Sequence, residues 1–282
     1  MSRVKKVLCI QDLSCIGRAS LAVAAPIISA MGIQACMLPC ALLSTHFGGL
    51  GTPAMHDESA FLKDAFAHYT ALELTFDAVY SGYLASAAQV NFVAQCFAQN
   101  PDALKVVDPV MADGGALYAG VTPEYCRAVD ALCGKADAIT PNVTESALLC
   151  GLAPSDAAMT NEELELRLVT LQRHYPAAHL IVITGVHLVD GKHGNACFWP
   201  NGAPRFLSYD PVAQKYPGTG DIFASILTGG LLRNGSAMVS IRLAANFIRS
   251  AAAATLEAKT DPRYGVLFEP LLYKLLPKEA LQ

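Results

Sequence analysis

Short aliphatic and β-branched runs alternate with longer stretches of helical periodicity from one end of the chain to the other. Residues 4–10, 34–39, 78–81, 105–107, 138–139 and 180–183 read as strands, and residues 17–31, 57–74, 86–99, 123–132 and 161–175 as helices. Residues 194–199 and 205–208 flank Pro200-Asn201-Gly202-Ala203, a turn sequence, and predict a hairpin. Two apolar helices follow, at 221–233 and 236–259. This alternation is what a mostly parallel sheet with crossover helices requires, so the expected class is α/β, with helices on both faces of a central sheet. No repeat, linker or low-complexity segment interrupts it apart from the alanines at Ala251 to Ala254, which predicts one domain over residues 1–282.

In such folds ligands lie beyond the carboxyl ends of the strands. Those ends carry Asp12, the segment Thr45 to Gly51, Gly82-Tyr83, Asp108, Asn142 and Thr184-Gly185.

Composition narrows the picture. Hydrophobic residues make up 53% and charged residues 16%, too apolar for disorder and suited to a sheet covered on both faces. A net charge of -4 gives no electrostatic reason to expect nucleic acid or an anionic membrane as partner. The nine cysteines are odd in number and include no C-x-x-C pair, which argues for reduced thiols. The apolar run after the basic start ends at Gln11 and Asp12, too short for a signal peptide, and the run from Leu21 to Ile33 contains Pro26 and is too short to span a membrane. The expected location is the cytoplasm.

Three segments carry candidate chemistry. In Pro217-Gly218-Thr219-Gly220-Asp221 the glycines let the backbone turn with its amides facing a ligand, ahead of an apolar helix whose unpaired N–H groups favour an anion. Such amides stabilise a phosphoryl group in transfer, and Asp221 is placed to accept a proton from an attacking hydroxyl. A tight turn and a plain helix start explain the same residues. Asp108 follows a buried strand, with Asp113 five residues on in a glycine-containing loop, a pattern that holds Mg²⁺ through water but is also a common turn. In Thr140-Pro141-Asn142-Val143-Thr144-Glu145, Asn142 and Glu145 have the spacing of a capping box; facing a metal and phosphate is the other reading.

Together these segments resemble the ribokinase superfamily, which has a Gly-x-Gly-Asp anion hole and an Asn-x-x-Glu motif near the metal. The first appears as Gly218-Thr219-Gly220-Asp221 and the second as Asn142-Val143-Thr144-Glu145. Within the superfamily, Ile10-Gln11-Asp12 through Gly17, Ser81-Gly82-Tyr83-Leu84 and Asp108-Pro109-Val110-Met111 resemble the pyridoxal kinase family. The resemblance spans nearly the whole chain. It implies a three-layer α/β/α ribokinase-like fold, ATP and Mg²⁺ as cofactors with K⁺ as a further candidate ion, a homodimer, and phosphorylation of the 5′-hydroxymethyl group of a B6 vitamer.

By the same resemblance Asp221 is the base and Gly218, Thr219 and Gly220 the anion hole. Asp108 and Glu145 order Mg²⁺, and Asp113, Thr140, Asn142, Thr184 and Lys215 attend the nucleotide. The substrate falls to Asp12, Thr45, His46, Phe47 and Tyr83, with Tyr83 against the pyridine ring. Pyridoxal kinases usually carry a serine after the Ile-Gln pair, where this chain has Asp12, and His-Thr followed by Tyr where it has Ser44-Thr45-His46-Phe47. Asp12 is expected to pair with the ring nitrogen or with the amine of pyridoxamine. A hydroxymethylpyrimidine kinase shares the fold and the anion hole but usually opens on a glycine-rich segment. A sugar kinase fits less well, because no long insertion after strand two supplies a β-lid. A non-catalytic vitamin or nucleotide sensor has no chemical need for Asp221 between intact glycines.

Overall fold

The computed structural model describes residues 3–199, 202–211, 214–233 and 235–277. The first half runs β1 (Lys6–Ile16), α1 (Leu21–Ala30), β2 (Gln34–Thr45), β3 (Met55–Asp57), α2 (Ser59–Ala71), β4 (Ala78–Ser81), α3 (Ala87–Gln99) and β5 (Leu104–Val107). A small hairpin, β6 (Ala112–Asp113) and β7 (Ala116–Leu117), precedes α4 (Pro123–Cys133), β8 (Ala138–Ile139), α5 (Val143–Leu149) and α6 (Asn161–His174). The second half closes with β9 (Leu180–His187), β10 (His193–Phe198), β11 (Arg205–Tyr209), α7 (Thr219–Leu232) and α8 (Ala237–Ala258).

Nine strands form one sheet in the order β11-β10-β9-β8-β5-β4-β1-β2-β3. The block from β9 to β2 is parallel, and the antiparallel strands lie at the two edges. Successive residues of a strand face opposite sides, and here both sides are dry. Leu8, Ile10, Val79, Val107, Ile139 and Ile183 enter a core that also holds residues of α2, α3, α4 and α6. Val7, Cys9, Tyr80, Val106, Ala138 and Val182 enter a second core with residues of α1, α7 and α8. Each fully buried Val, Leu or Ile contributes roughly 1.5–3 kcal/mol. The three-layer α/β/α arrangement with a mostly parallel sheet therefore follows from continuous apolar strands that need covering twice. All nine cysteines are unpaired, and among the described residues no helix is long and apolar enough to cross a membrane.

Several element boundaries differ from the sequence reading. β1 does not stop at Ile10. It pairs with β2 as far as Ile16 opposite Thr45, whereas its pairing with β4 ends at Ile10 opposite Ser81. Asp12 is therefore inside a strand rather than beyond its end. The register shifts there, with Gln11 opposite Pro39 and Leu13 opposite Leu42. Together with β3, the extended ends of β1 and β2 make a small β-flap without any long insertion. The first helix starts at Leu21 instead of residue 17, because Gly17 and Ser20 have φ of 96° and 52°. β9 continues to His187, so Thr184 and Gly185 lie within it. Of the predicted hairpin turn, Pro200 and Asn201 lie outside the described residues; its flanks pair as expected, Cys197 opposite Arg205.

Candidate active site

α7 enters the core almost completely buried, and its first turn forms the site. Gly218 caps it in the left-handed conformation, φ 78°. A Cβ there would stand 1.8 Å from the Arg18 carbonyl oxygen, so both backbone angle and space demand glycine. The N–H groups of Thr219, Gly220 and Asp221 find no acceptor among the described residues, as expected for a first helical turn. The Thr219 hydroxyl donates back to the Tyr216 carbonyl at 3.1 Å, which leaves Thr219 its backbone N–H to offer a ligand.

Asp221, partly buried, accepts a hydrogen bond from the Ser20 N–H at 2.9 Å. Burial, with the Asp12 charge adding to it, pushes its pKa up to about 7 against the opposing Ser20 bond. Asp108 lies next to the same turn, since a Cβ on Gly220 would sit 3.7 Å from its Oδ2. Burial and the Asp221 charge push Asp108 up to about 8. Glu145 completes the carboxylate group from the first turn of α5. It closes a capping box with Asn142 and also accepts from the Met111 and Ala112 N–H groups at 3.0 and 3.5 Å. Burial and Asp108 raise it well above the usual carboxylate range. The capping-box geometry of the Asn-x-x-Glu motif is thus real, and the same motif lines the cleft.

One cleft collects Asp108, Thr140, Asn142, Glu145, Thr184, Tyr83, Gly218, Gly220 and Asp221, together with Ser20, Val110, Tyr118 and Phe223. The buried Thr140 hydroxyl has no hydrogen-bond partner among the described residues. Tyr83, raised to about 12 by burial, has its ring 6.2 Å from that of Phe47.

Other predicted residues sit outside the cleft lining. Asp12 is 2% exposed and its oxygens take the hydroxyls of Ser14 and Ser20. His46 is buried against Gly17 and Gly48, with its Nδ1 accepting from the Gly48 N–H at 2.9 Å. Thr45 ends β2. Lys215 is held by Asp156 at 2.9 Å and lies 3.9 Å from Asp113, an exposed surface cluster.

Sequence reasoning missed Ser20, whose only signal was a polar residue ahead of an apolar helix. It also missed a second cleft at the β10–β11 edge of the sheet, lined by residues including His193, Tyr209, Asp210, Asn246 and Arg249. Those polar residues are scattered over β10, β11 and α8 and form no motif.

The phosphomethylpyrimidine kinase family matches residues 28–264. The chain belongs to that family. A pyridoxal kinase from Lactobacillus plantarum is 36% identical, with a TM-score of 0.89 and 97% of each chain covered. A Bacteroides thetaiotaomicron structure, provisionally assigned as a phosphomethylpyrimidine kinase and crystallised with pyridoxal, is also 36% identical, with a TM-score of 0.89, covering 97% of this chain and 96% of its own. The pyridoxal kinase of Photobacterium profundum is 31% identical over 170 residues, 57% of this chain and 55% of that protein. The chain thus spans about half the length of that curated relative. The family and its ribokinase-like fold agree with the resemblance drawn from Gly218 to Asp221 and Asn142 to Glu145. Within this family member the cleft brings unpartnered N–H groups, a carboxylate titrating near neutrality and two further buried carboxylates to one place, the equipment of a phosphoryl transfer to an alcohol.

Proposed function

We propose that the protein is an ATP-dependent kinase acting on the 5′-hydroxymethyl group of pyridoxal, pyridoxamine or pyridoxine. The observation that carries this reading is Asp221: its carboxyl is held by the Ser20 N–H, lies in the turn whose N–H groups are free, and is pushed up to about 7. A base poised near the working pH removes a proton efficiently. Asp221 takes the proton of the substrate hydroxyl as that oxygen bonds to the γ-phosphorus, and the bond from phosphorus to the bridging oxygen of ADP breaks. The N–H groups of Thr219, Gly220 and Asp221 meet the charge on the transferred group. Tyr83, beside Phe47, offers an aromatic face to the acceptor ring.

No cluster of three metal-binding side chains occurs among the described residues, so the site fits Mg²⁺ as an ion held by one or two carboxylates together with water and substrate phosphate. Asp108 stands among buried carboxylates whose charges raise one another, so a divalent cation would relieve a repulsion the protein otherwise bears. Asp108 and Glu145 would hold the ion, directly or through water, and the ion would neutralise phosphate charge. Thr140, whose hydroxyl lacks a partner, and Thr184 attend the phosphates. The cleft beside His193, Tyr209 and Asn246 offers room for the nucleoside.

The family name favours hydroxymethylpyrimidine as a second acceptor, also a hydroxymethyl group on an aromatic ring. ATP consumption with pyridoxal, pyridoxamine, pyridoxine and hydroxymethylpyrimidine decides between them. The reading expects the highest kcat/KM with a B6 vitamer. Turnover of the pyrimidine alone assigns the second acceptor, and turnover of none overturns the kinase reading.

A further inference from the structure

Ser20 combines two features that rarely occur together. Its φ of 52° and ψ of -131° lie outside every region that L-residues favour, including the left-handed helical well. Its side chain is nevertheless fixed: Ser20 is 5% exposed and its hydroxyl donates to Asp12 Oδ1. The backbone N–H of the same residue donates to Asp221 Oδ2 at 2.9 Å. Since φ sets the angle between the Ala19–Ser20 peptide plane and the Ser20 side chain, anchoring that side chain fixes where the N–H points.

Asp12 is built for the anchoring. It sits at the register shift of β1, a single residue opposite Cys40 and Ala41, and such bulges re-aim a side chain. Its Oδ2 accepts from the Ser14 hydroxyl at 2.9 Å, so each oxygen is held by a serine. With 2% exposure and no place in the cleft lining, the carboxylate has its work inside the protein.

We infer that Asp12 and Ser20 are positioning residues for the base: Asp12 holds the Ser20 hydroxyl, and the strained Ser20 backbone holds the Asp221 carboxylate with its N–H. This rests on the base role proposed above and assigns Asp12 no contact with the vitamer.

Steady-state kinetics of Ser20→Ala, Ser20→Gly, Asp12→Ala and Asp12→Asn test it. Ser20→Ala frees the backbone to relax and lowers kcat about tenfold, with the acceptor KM within about twofold, the signature of an interaction lost in the transition state. Ser20→Gly adopts positive φ without strain and recovers most of that loss although it too lacks the hydroxyl. Asp12→Ala behaves as Ser20→Ala, and Asp12→Asn, which keeps an acceptor oxygen, recovers most of the loss with the vitamer preference unaltered. Ser20→Gly as slow as Ser20→Ala, or Asp12→Asn acting through KM or changing the preference among vitamers, overturns the inference while leaving the kinase reading intact. Absence of turnover by the unaltered enzyme overturns both. Should Asp12→Ala fail to fold, the two Ser20 variants decide.

Discussion

Gly218→Ala is the substitution whose cost can be worked from the backbone alone. At φ 78° an L-side chain costs roughly 1–2 kcal/mol. The added Cβ also meets the Arg18 carbonyl oxygen at 1.8 Å. That oxygen cannot retreat freely, because the Arg18 N–H is bonded to the Tyr264 carbonyl at 3.1 Å and its guanidinium to Glu269 at 2.6 Å. Relieving such an overlap costs about 1–3 kcal/mol in backbone shifts. A total of about 2–5 kcal/mol lowers Tm by roughly 3–8 °C in a chain of this size. The shift also moves the N–H groups of the α7 turn, and losing such donors costs ~100-fold in kcat. For the melt, though not for the rate, Gly220→Ala is the internal control, since its Cβ would meet only Asp108 Oδ2 at an ordinary 3.7 Å, and a helical glycine replaced by alanine gains up to ~1 kcal/mol. Thermal melts of the two variants beside the wild type, with ATP consumption on the same samples, give both readouts. Gly218→Ala melting with the wild type, or keeping its rate, would refute the assignment of this turn.

Further outcomes follow from the carboxylates. With Asp221 pushed up to about 7 and required as the ionised base, kcat/KM falls about tenfold per pH unit below that value and levels above it. The stability effect has the opposite sense: a raised carboxyl pKa favours the protonated fold, so its contribution is complete below the ordinary value of 3.8 and lost as pH rises through about 7. Asp221→Asn should therefore raise Tm relative to the wild type more in alkaline than in acidic buffer. Mg²⁺ should raise Tm of the wild type more in alkaline buffer, where Asp108 and Asp221 are both ionised, and Asp108→Asn should remove most of that increment. Glu145→Ala strips an acceptor from the N–H groups of Asn142, Met111 and Ala112 and should cost at least ~2 kcal/mol in denaturant unfolding, besides any loss of rate.

The parts of the fold legible in the sequence are those written in continuous apolar strands. Residues 78–81 and the apolar run of α7 admit few other readings, and their order dictates a doubly covered sheet. The site was legible where backbone conformation forces a residue type, at Gly218, and where a cap fixes a spacing, at Asn142 and Glu145. Asp12 was misplaced for a physical reason: Gln11-Asp12-Leu13-Ser14 is polar enough to look like the end of a strand, yet Asp12 stays inside it because its oxygens take the hydroxyls of Ser14 and of Ser20, a residue eight positions on, at the register shift between β1 and β2. β3 was missed, with its last residue, Asp57, taken as the start of the predicted helix, because an edge strand of Met55–Asp57 is too short to show alternation. Lys215 looked free for a phosphate because its partners, Asp156 and Asp113, are distant in sequence.

The most direct test of the central claim is the rate of ATP-dependent pyridoxal 5′-phosphate formation by the wild type and by Asp221→Ala, measured in Mg²⁺ at a pH above 7. The account predicts product from the wild type and a rate at least ~100-fold lower from the folded variant. Equal rates from the two proteins would contradict it and reduce Asp221 to an ordinary residue at a helix start.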